Sequence, residues 1–155
     1  MRTARGYTVV ELITVMVVIG VLAAIALPRI SQTQDFSAAA YRNEVTSALR
    51  HAQKSAVSHR RLVCLALAPQ SINLTIAPAA GANACAAAYP SPDGNAYSSK
   101  DAAVQATGAF VGTTLFFQPN GDITTDGAGT VFAAGTIGIT GQGDIRIDGS
   151  TGHVD

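Results

Sequence analysis

The sequence predicts an α+β protein in which one long N-terminal helix, with a membrane or filament-core half and an amphipathic half, packs on a small all-β head of two antiparallel sheets. Three observations predict it. Residues 7–28 form an almost continuous apolar run, residues 29–61 place apolar side chains only at helical spacing, and residues 62–155 break into short β-prone runs separated by turn residues. At 155 residues the chain has room for that helix and one modest globular unit. The head is rich in Ala, Gly, Thr and Ser and the chain has no Trp, so the core must be built from Val, Ile, Leu and a few Phe.

The first element is the stretch "RGYTVVELITVMVVIGVLAAIALPR", Arg5 to Arg29. It carries a carboxylate, Glu11, near its start, and an acid at a bilayer centre costs roughly 2.5–3.5 kcal/mol unless a partner meets it. Three accounts of the run compete. A secretory signal peptide would use Arg2 and Arg5 as its basic start and Ala24 to Ala26 as its cleavage site, but would not need Glu11. A plain membrane anchor fits the length, since Tyr7 to Leu27 crosses a bilayer at ~1.5 Å per residue, and Arg2 and Arg5 would hold the start in the cytoplasm. It too leaves Glu11 without a role.

The third account takes the whole pattern: Gly6, the aromatic Tyr7, Thr8, then Glu11-Leu12 and an uninterrupted apolar segment. This resembles the class III signal of type IV pilins and type II secretion pseudopilins. The resemblance implies that a prepilin peptidase cuts between Gly6 and Tyr7, removes the leader 1–6 and methylates the new N-terminus. It also implies a mate for Glu11, because in that family the glutamate pairs with the N-terminal amine of a neighbouring subunit during assembly. Two charges in a low-dielectric bundle stabilise each other only when both are matched, so Glu11 would set register: a subunit docked one step off leaves both unpaired. Gly20 and Pro28 stand where family members often carry helix-breaking residues; ordinary membrane-helix usage with a kink at Pro28 is the alternative.

Beyond Pro28 the apolar positions Tyr41, Val45, Ala48, Leu49, Ala52 and Ala56 recur at spacings of three and four, with Arg42, Glu44, Arg50, Lys54 and His59 between them. An amphipathic helical continuation is expected over 29–61, its apolar stripe on the head. The stretch "YRNEVTSALRHAQKSAVSHRRLVCLAL" resembles the corresponding segment of the GspH/FimT family of minor pilins and pseudopilins, as "FQPNGDI" and "RIDGSTGHV" resemble that family's C-terminal blocks.

In the head, "LVCLAL", "INLTIA", "TLFFQP", "GTVFAA", "TIGIT" and "DIRID" read as strands, and residues 79–108 read as a long irregular surface loop. "GDITTDG" and "GDIRIDG" echo each other; turn, strand, turn explains them better than a calcium loop, and two adjacent hairpins would account for the repeat. Cys64 and Cys85 are the only cysteines. In an exported head such a pair most simply forms a disulfide, the alternative being two unrelated buried thiols.

Charge divides the chain although the net charge is zero. Arg29, Arg42, Arg50, Lys54, Arg60 and Arg61 outnumber Asp35 and Glu44 up to residue 61, whereas from Leu62 onward Lys100 and Arg146 face seven aspartates. Some FimT-like pilins bind DNA through an arginine-bearing C-terminal segment; here the tail offers Arg146 among Asp144, Asp148 and Asp155, a poor phosphate surface. No nucleophile elbow, phosphate loop or metal-binding histidine pair is present, and His51 and His59 lie ~12 Å apart along a helix, too far to share an ion. No catalytic residue, cofactor or metal is therefore expected. The expected partners are other pilin or pseudopilin subunits, the prepilin peptidase and the inner membrane, with nucleic acid less favoured. The expected protein is a single-pass inner-membrane precursor with a periplasmic head that enters a type IV pilus or, alternatively, the pseudopilus of a type II secretion system.

Overall fold

The computed structural model describes the backbone of residues 8–155 and the side chains of residues 8–24 and 35–155. Helix α1 runs Val9–His59. The chain divides into two compact units, 1–34 and 35–155, so the helix contributes its first part to one and its second part to the other.

In the first unit the large apolar side chains from Val9 to Leu22 are all exposed, Val9 at 74% and Leu12 at 55%. An all-apolar surface of this kind is not the one-sided stripe of a helix resting on a soluble core. The expected membrane span, 7–28, extends beyond the described side chains at both ends. Among the described residues, no helix is long and apolar enough to cross a membrane.

In the second unit α1 becomes one-sided. Every apolar residue of the expected stripe, from Tyr41 to Ala56, is buried, and Ala38 joins them one turn earlier. The alanines let the helix backbone sit close to the sheets, while Tyr41, Val45 and Leu49 fill the space between. The helix stops after His59, where Arg60 adopts φ 53° and the amides of Arg60 and Arg61 donate back to the carbonyls of Val57 and Ala56 at 3.3 and 3.2 Å. This is a Schellman ending, with Arg60 in the position that usually holds Gly.

Two antiparallel sheets complete the head. The first contains β1 (Val63–Leu67), β2 (Ser71–Ile76), β3 (Ala87–Ala88), β4 (Tyr97–Ser98), β6 (Thr114–Phe117) and β7 (Ile123–Thr124), in the order β3-β2-β1-β6-β7 with β4 also on β2. The second is β10-β9-β8-β5, from β5 (Ala106–Gly108), β8 (Ala134–Ile139), β9 (Ile145–Asp148) and β10 (His153–Val154). Central strand β1 is covered on both faces. Val63, Leu65 and Leu67 enter the main core with Leu115, Phe117, Ile137, Ile145 and Ile147, while Leu62 and Cys64 join Ala77, Cys85 and Phe116 in a smaller cluster. Cys64 and Cys85 are disulfide-bonded, with Cα atoms 6.1 Å apart across a sequence separation of 21. Closing a loop of that length stabilises the fold by about 3 kcal/mol in the chain-entropy account.

Two expectations are corrected. Residues 129–134 do not form a strand of their own: only Phe132 makes an isolated bridge, to Thr124, and β8 begins at Ala134. The cause is Asp126, whose carboxylate accepts the amides of Thr130 at 3.0 Å and Val131 at 2.7 Å and so diverts them from a ladder. The long loop 79–108 is irregular for most of its length but adds the short strands β3, β4 and β5.

Each repeated Gly-Asp-Ile segment leads into the second arm of a hairpin, β7 after β6 and β9 after β8, and the two hairpins lie in different sheets. One supplies β7 of the first sheet and the other β9 of the second, and backbone hydrogen bonds join them: Ile123 N–H to the Gly149 carbonyl at 2.9 Å, Gly149 N–H to Ala133 at 2.6 Å, and Ala133 N–H to Ile123 at 2.9 Å. Gly149 is required here by space, since a Cβ would meet the Ile123 carbonyl and both polar backbone atoms of Ala133 inside contact distance. Gly149→Ala is expected to lower the melting temperature of the head by roughly 10 °C or more, because three backbone bonds and the sheet-to-sheet spacing must yield together. Gly143→Ala, with nothing within 4 Å of its added carbon, should leave it nearly unchanged in the same thermal scan.

Candidate functional site

The first candidate region is the start of α1. Thr8 caps it: its Oγ1 accepts the Glu11 amide at 3.3 Å, and its carbonyl accepts the amides of Glu11 and Leu12 at 3.1 and 3.2 Å. Thr8-Val9-Val10-Glu11 has the spacing of a capping box, which sets an acid in the first turn where the helix dipole favours negative charge. Glu11 therefore holds a local role as well as the assembly role that the resemblance implies. The threonine was legible in the sequence as part of the signal, and its capping function follows from the same T-x-x-E spacing. Among the described residues Glu11 has no ion-pair partner. Gly6 and Tyr7, the expected cleavage and methylation positions, lie outside the described residues.

Helix α1 is assigned continuously through Gly20 and position 28, and an added carbon at Gly20 would meet nothing within 4 Å. The single chain holds one uninterrupted helix through these positions, without the break that the resemblance implies.

The second region is the head surface around the polar face of α1. One set of polar side chains fastens the helix to the C-terminal sheet and to turns of both sheets. Arg42 Nε donates to the Gly143 carbonyl at 2.9 Å, Arg50 to Val154 at 3.2 Å, and Gln53 Nε2 to Gly152 and Gly121 at 2.7 and 3.0 Å. On another side Glu44 accepts the Ser98 amide at 3.0 Å, holding β4 near the helix. These groups satisfy backbone acceptors and a donor at the sheet margins that strand pairing leaves open.

One tyrosine meets both His51 and His59. His51 stacks on Tyr89 with ring centroids 5.4 Å apart, and His59 meets the same ring edge-on at 5.8 Å with Nε2 3.1 Å from its hydroxyl. Tyr97 places its hydroxyl 3.3 Å from His51 Nδ1. Burial lowers the His51 pKa and raises that of Tyr97. Between these tyrosines, residues 91–95 form a self-braced turn in which the Asp93 carboxylate accepts from Ser91 and from the Asn95 amide and side chain. Those hydrogen bonds hold the Asp93 pKa down to about 2, led by the Ser91 hydroxyl. Asp126 and Asp148 are lowered in the same way, by the Val131 and Thr130 amides and by the Ser150 hydroxyl respectively.

These aspartates are turn makers. Arg146 stands exposed in a tail with Asp144, Asp148 and Asp155, and the one ion pair among the described residues, His153 with Asp155 at 3.6 Å, is itself exposed. Among the described residues no group of His, Cys, Asp and Glu is arranged to hold a metal ion.

Two family models match the chain. The prokaryotic N-terminal methylation motif covers residues 1–27, and the type II transport protein GspH model covers residues 42–152. The chain belongs to the GspH family. Its leader-to-helix segment carries the motif that marks pilins and pseudopilins, and its head is the GspH domain. Comparison with curated proteins and with solved structures found no match.

Each depressed aspartate binds its proton less readily in the folded head than in the unfolded chain, so its stabilising contribution is present above its ordinary pKa of 3.8 and is lost as pH falls through its lowered value, which for Asp93 is about 2. The melting temperature is expected to drop across that window. Asp126→Asn should flatten the drop, since its amide retains the turn without the titrating charge; a pH series of thermal melts reads both.

Proposed function

We propose that this GspH-family chain is a minor pilin of a type IV pilus, cut between Gly6 and Tyr7 and incorporated through the apolar first part of its helix. Its work is assembly: priming the filament or serving at its tip, where adhesion, twitching motility or DNA uptake would draw on it. Catalysis has no part in this proposal, and neither does a cofactor.

The observation that carries the reading is the conjunction at the start of α1. A capped first turn bearing Glu11 leads directly into apolar side chains that the chain itself leaves exposed. In a bilayer those side chains meet lipid; in a filament they meet the equivalent helices of neighbours, and burying them there releases no less apolar surface from water. The amine freed at Tyr7 by the peptidase supplies the positive charge that Glu11 of an adjacent subunit lacks. Because a buried charge without its mate is heavily penalised, the pair fixes the axial offset between subunits more than it adds net stability.

A second reading, a minor pseudopilin of a type II secretion system, is favoured by the description of the family model, a type II transport protein. The disulfide between Cys64 and Cys85 resembles the pilus group and favours the first reading. DNA binding through the tail has less support, given the acids around Arg146.

Deleting the gene is expected to reduce surface filaments and leave type II secretion intact, with the reverse phenotype selecting the pseudopilin. Within the pilus, Glu11→Val should insert into the membrane at wild-type levels and be recovered in sheared filaments at about one tenth of the wild-type amount or less, the loss expected for a pair worth more than ~1.4 kcal/mol. Equal recovery removes the pairing role.

A further inference from the structure

A cleft of about 430 Å³ lies along the polar face of α1 within the head, walled on one side by Pro92 of the 91–95 turn. Its helical wall is Asn43, Thr46, Ser47, Arg50, His51 and Lys54, positions that recur at three and four and so form one continuous stripe. The lining has three groups that carry or can take positive charge, two hydroxyls and one carboxamide, and no carboxylate. Glu44 and Asp93 line an adjoining cleft of about 410 Å³ that shares Asn43, Ser47 and Pro92 with it, and both are engaged, Glu44 by the Ser98 amide and Asp93 by its own turn.

The positive groups are only partly spent. Arg50 gives one nitrogen to the Val154 carbonyl, which fixes the guanidinium while leaving its other donors. His51 uses Nδ1 with Tyr97, and Lys54 is exposed with no partner among the described residues. Pro92 is held as a firm wall, because Ser91 and Asn95 brace the turn through Asp93 and the flanking Tyr89 and Tyr97 are fastened to His51.

The geometry points to a binding site for an anionic saccharide, one sugar acid or sulfated sugar unit at a time, with Lys54 and Arg50 taking the anionic group and Asn43, Thr46 and Ser47 taking ring hydroxyls. Paired cations suit a sulfate or carboxylate, and short hydroxyl and carboxamide side chains match a ligand dense in hydroxyls. A single-stranded nucleic acid fits less well, because bases need free aromatic platforms and the one aromatic ring lining the cleft, His51, is stacked on Tyr89 and bonded to the Tyr97 hydroxyl. The site does not depend on which machine the subunit serves, since it uses head residues alone.

The test is calorimetric titration of the full chain in detergent micelles with a heparin-derived sulfated disaccharide, whose charge does not change near neutral pH. Saturable one-to-one binding is expected, weakened about tenfold by Lys54→Ala and measurably by Ser47→Ala. The unsulfated disaccharide should bind at least about tenfold more weakly. The double variant Arg60→Ala/Arg61→Ala, which removes two positive charges outside the cleft against the one removed by Lys54→Ala, should change affinity less than about twofold. Equal weakening by that double variant and by Lys54→Ala would mean general charge attraction and would overturn the site. Tighter, Lys54-dependent binding of a single-stranded oligonucleotide would overturn the ligand class, and absence of any saturable binding by the folded wild type would overturn the proposal altogether.

Discussion

The constraint on which the rest depends is the exposed apolar surface at the start of α1. From Val9 to Leu22 the helix shows valine, leucine, isoleucine and methionine on every side, and no other part of the described chain covers them. Such a surface is costly to leave in water, and the proposed function covers it with lipid or with other helices of its kind. Everything distinctive about the N-terminus follows from that need. Thr8 starts the helix cleanly, and Glu11 puts one charge in its first turn, where the proposed pairing between subunits would read register.

The head meets the opposite requirement. It must hold a firm shape with few aromatics, and it does so by packing an alanine-lined helix face closely on two sheets, by stitching those sheets through Ile123, Ala133 and Gly149, and by a disulfide at the outer face of β1. Polar side chains of α1 contribute as fasteners: Arg42, Arg50 and Gln53 bond backbone carbonyls near the C-terminus, which joins the last residues of the chain to the helix that began the head. The acidic balance of the C-terminal half reflects turn aspartates with satisfied carboxylates, as at Asp126 and Asp148.

The helix and its buried face were legible because period and residue type agree: Tyr41, Val45, Leu49 and the alanines between them admit one helical face. The main strands were legible for the same reason, as at β1, β2 and β6. Residues 129–134 were not, because their β-branched and aromatic side chains favour a strand while a side-chain carboxylate three residues or more upstream takes the amides a strand would need. The distribution of the two Gly-Asp-Ile segments between two sheets was equally hidden, since local repetition carries no information on long-range pairing. Of the surface features, the cap at Thr8 could be read from spacing. The meeting of His51 and His59 at Tyr89 could not, because it depends on where an irregular loop returns to the helix.

The central claim is that proteolysis after Gly6 creates the amine that Glu11 needs. Mass spectrometry of the N-terminal peptide, recovered from the subunit in sheared filaments, tests it most directly. A peptide beginning at Tyr7 and carrying one methyl group is the predicted result; a peptide beginning at Met1 in the assembled form, or at Leu27 after removal of the whole apolar run, contradicts it.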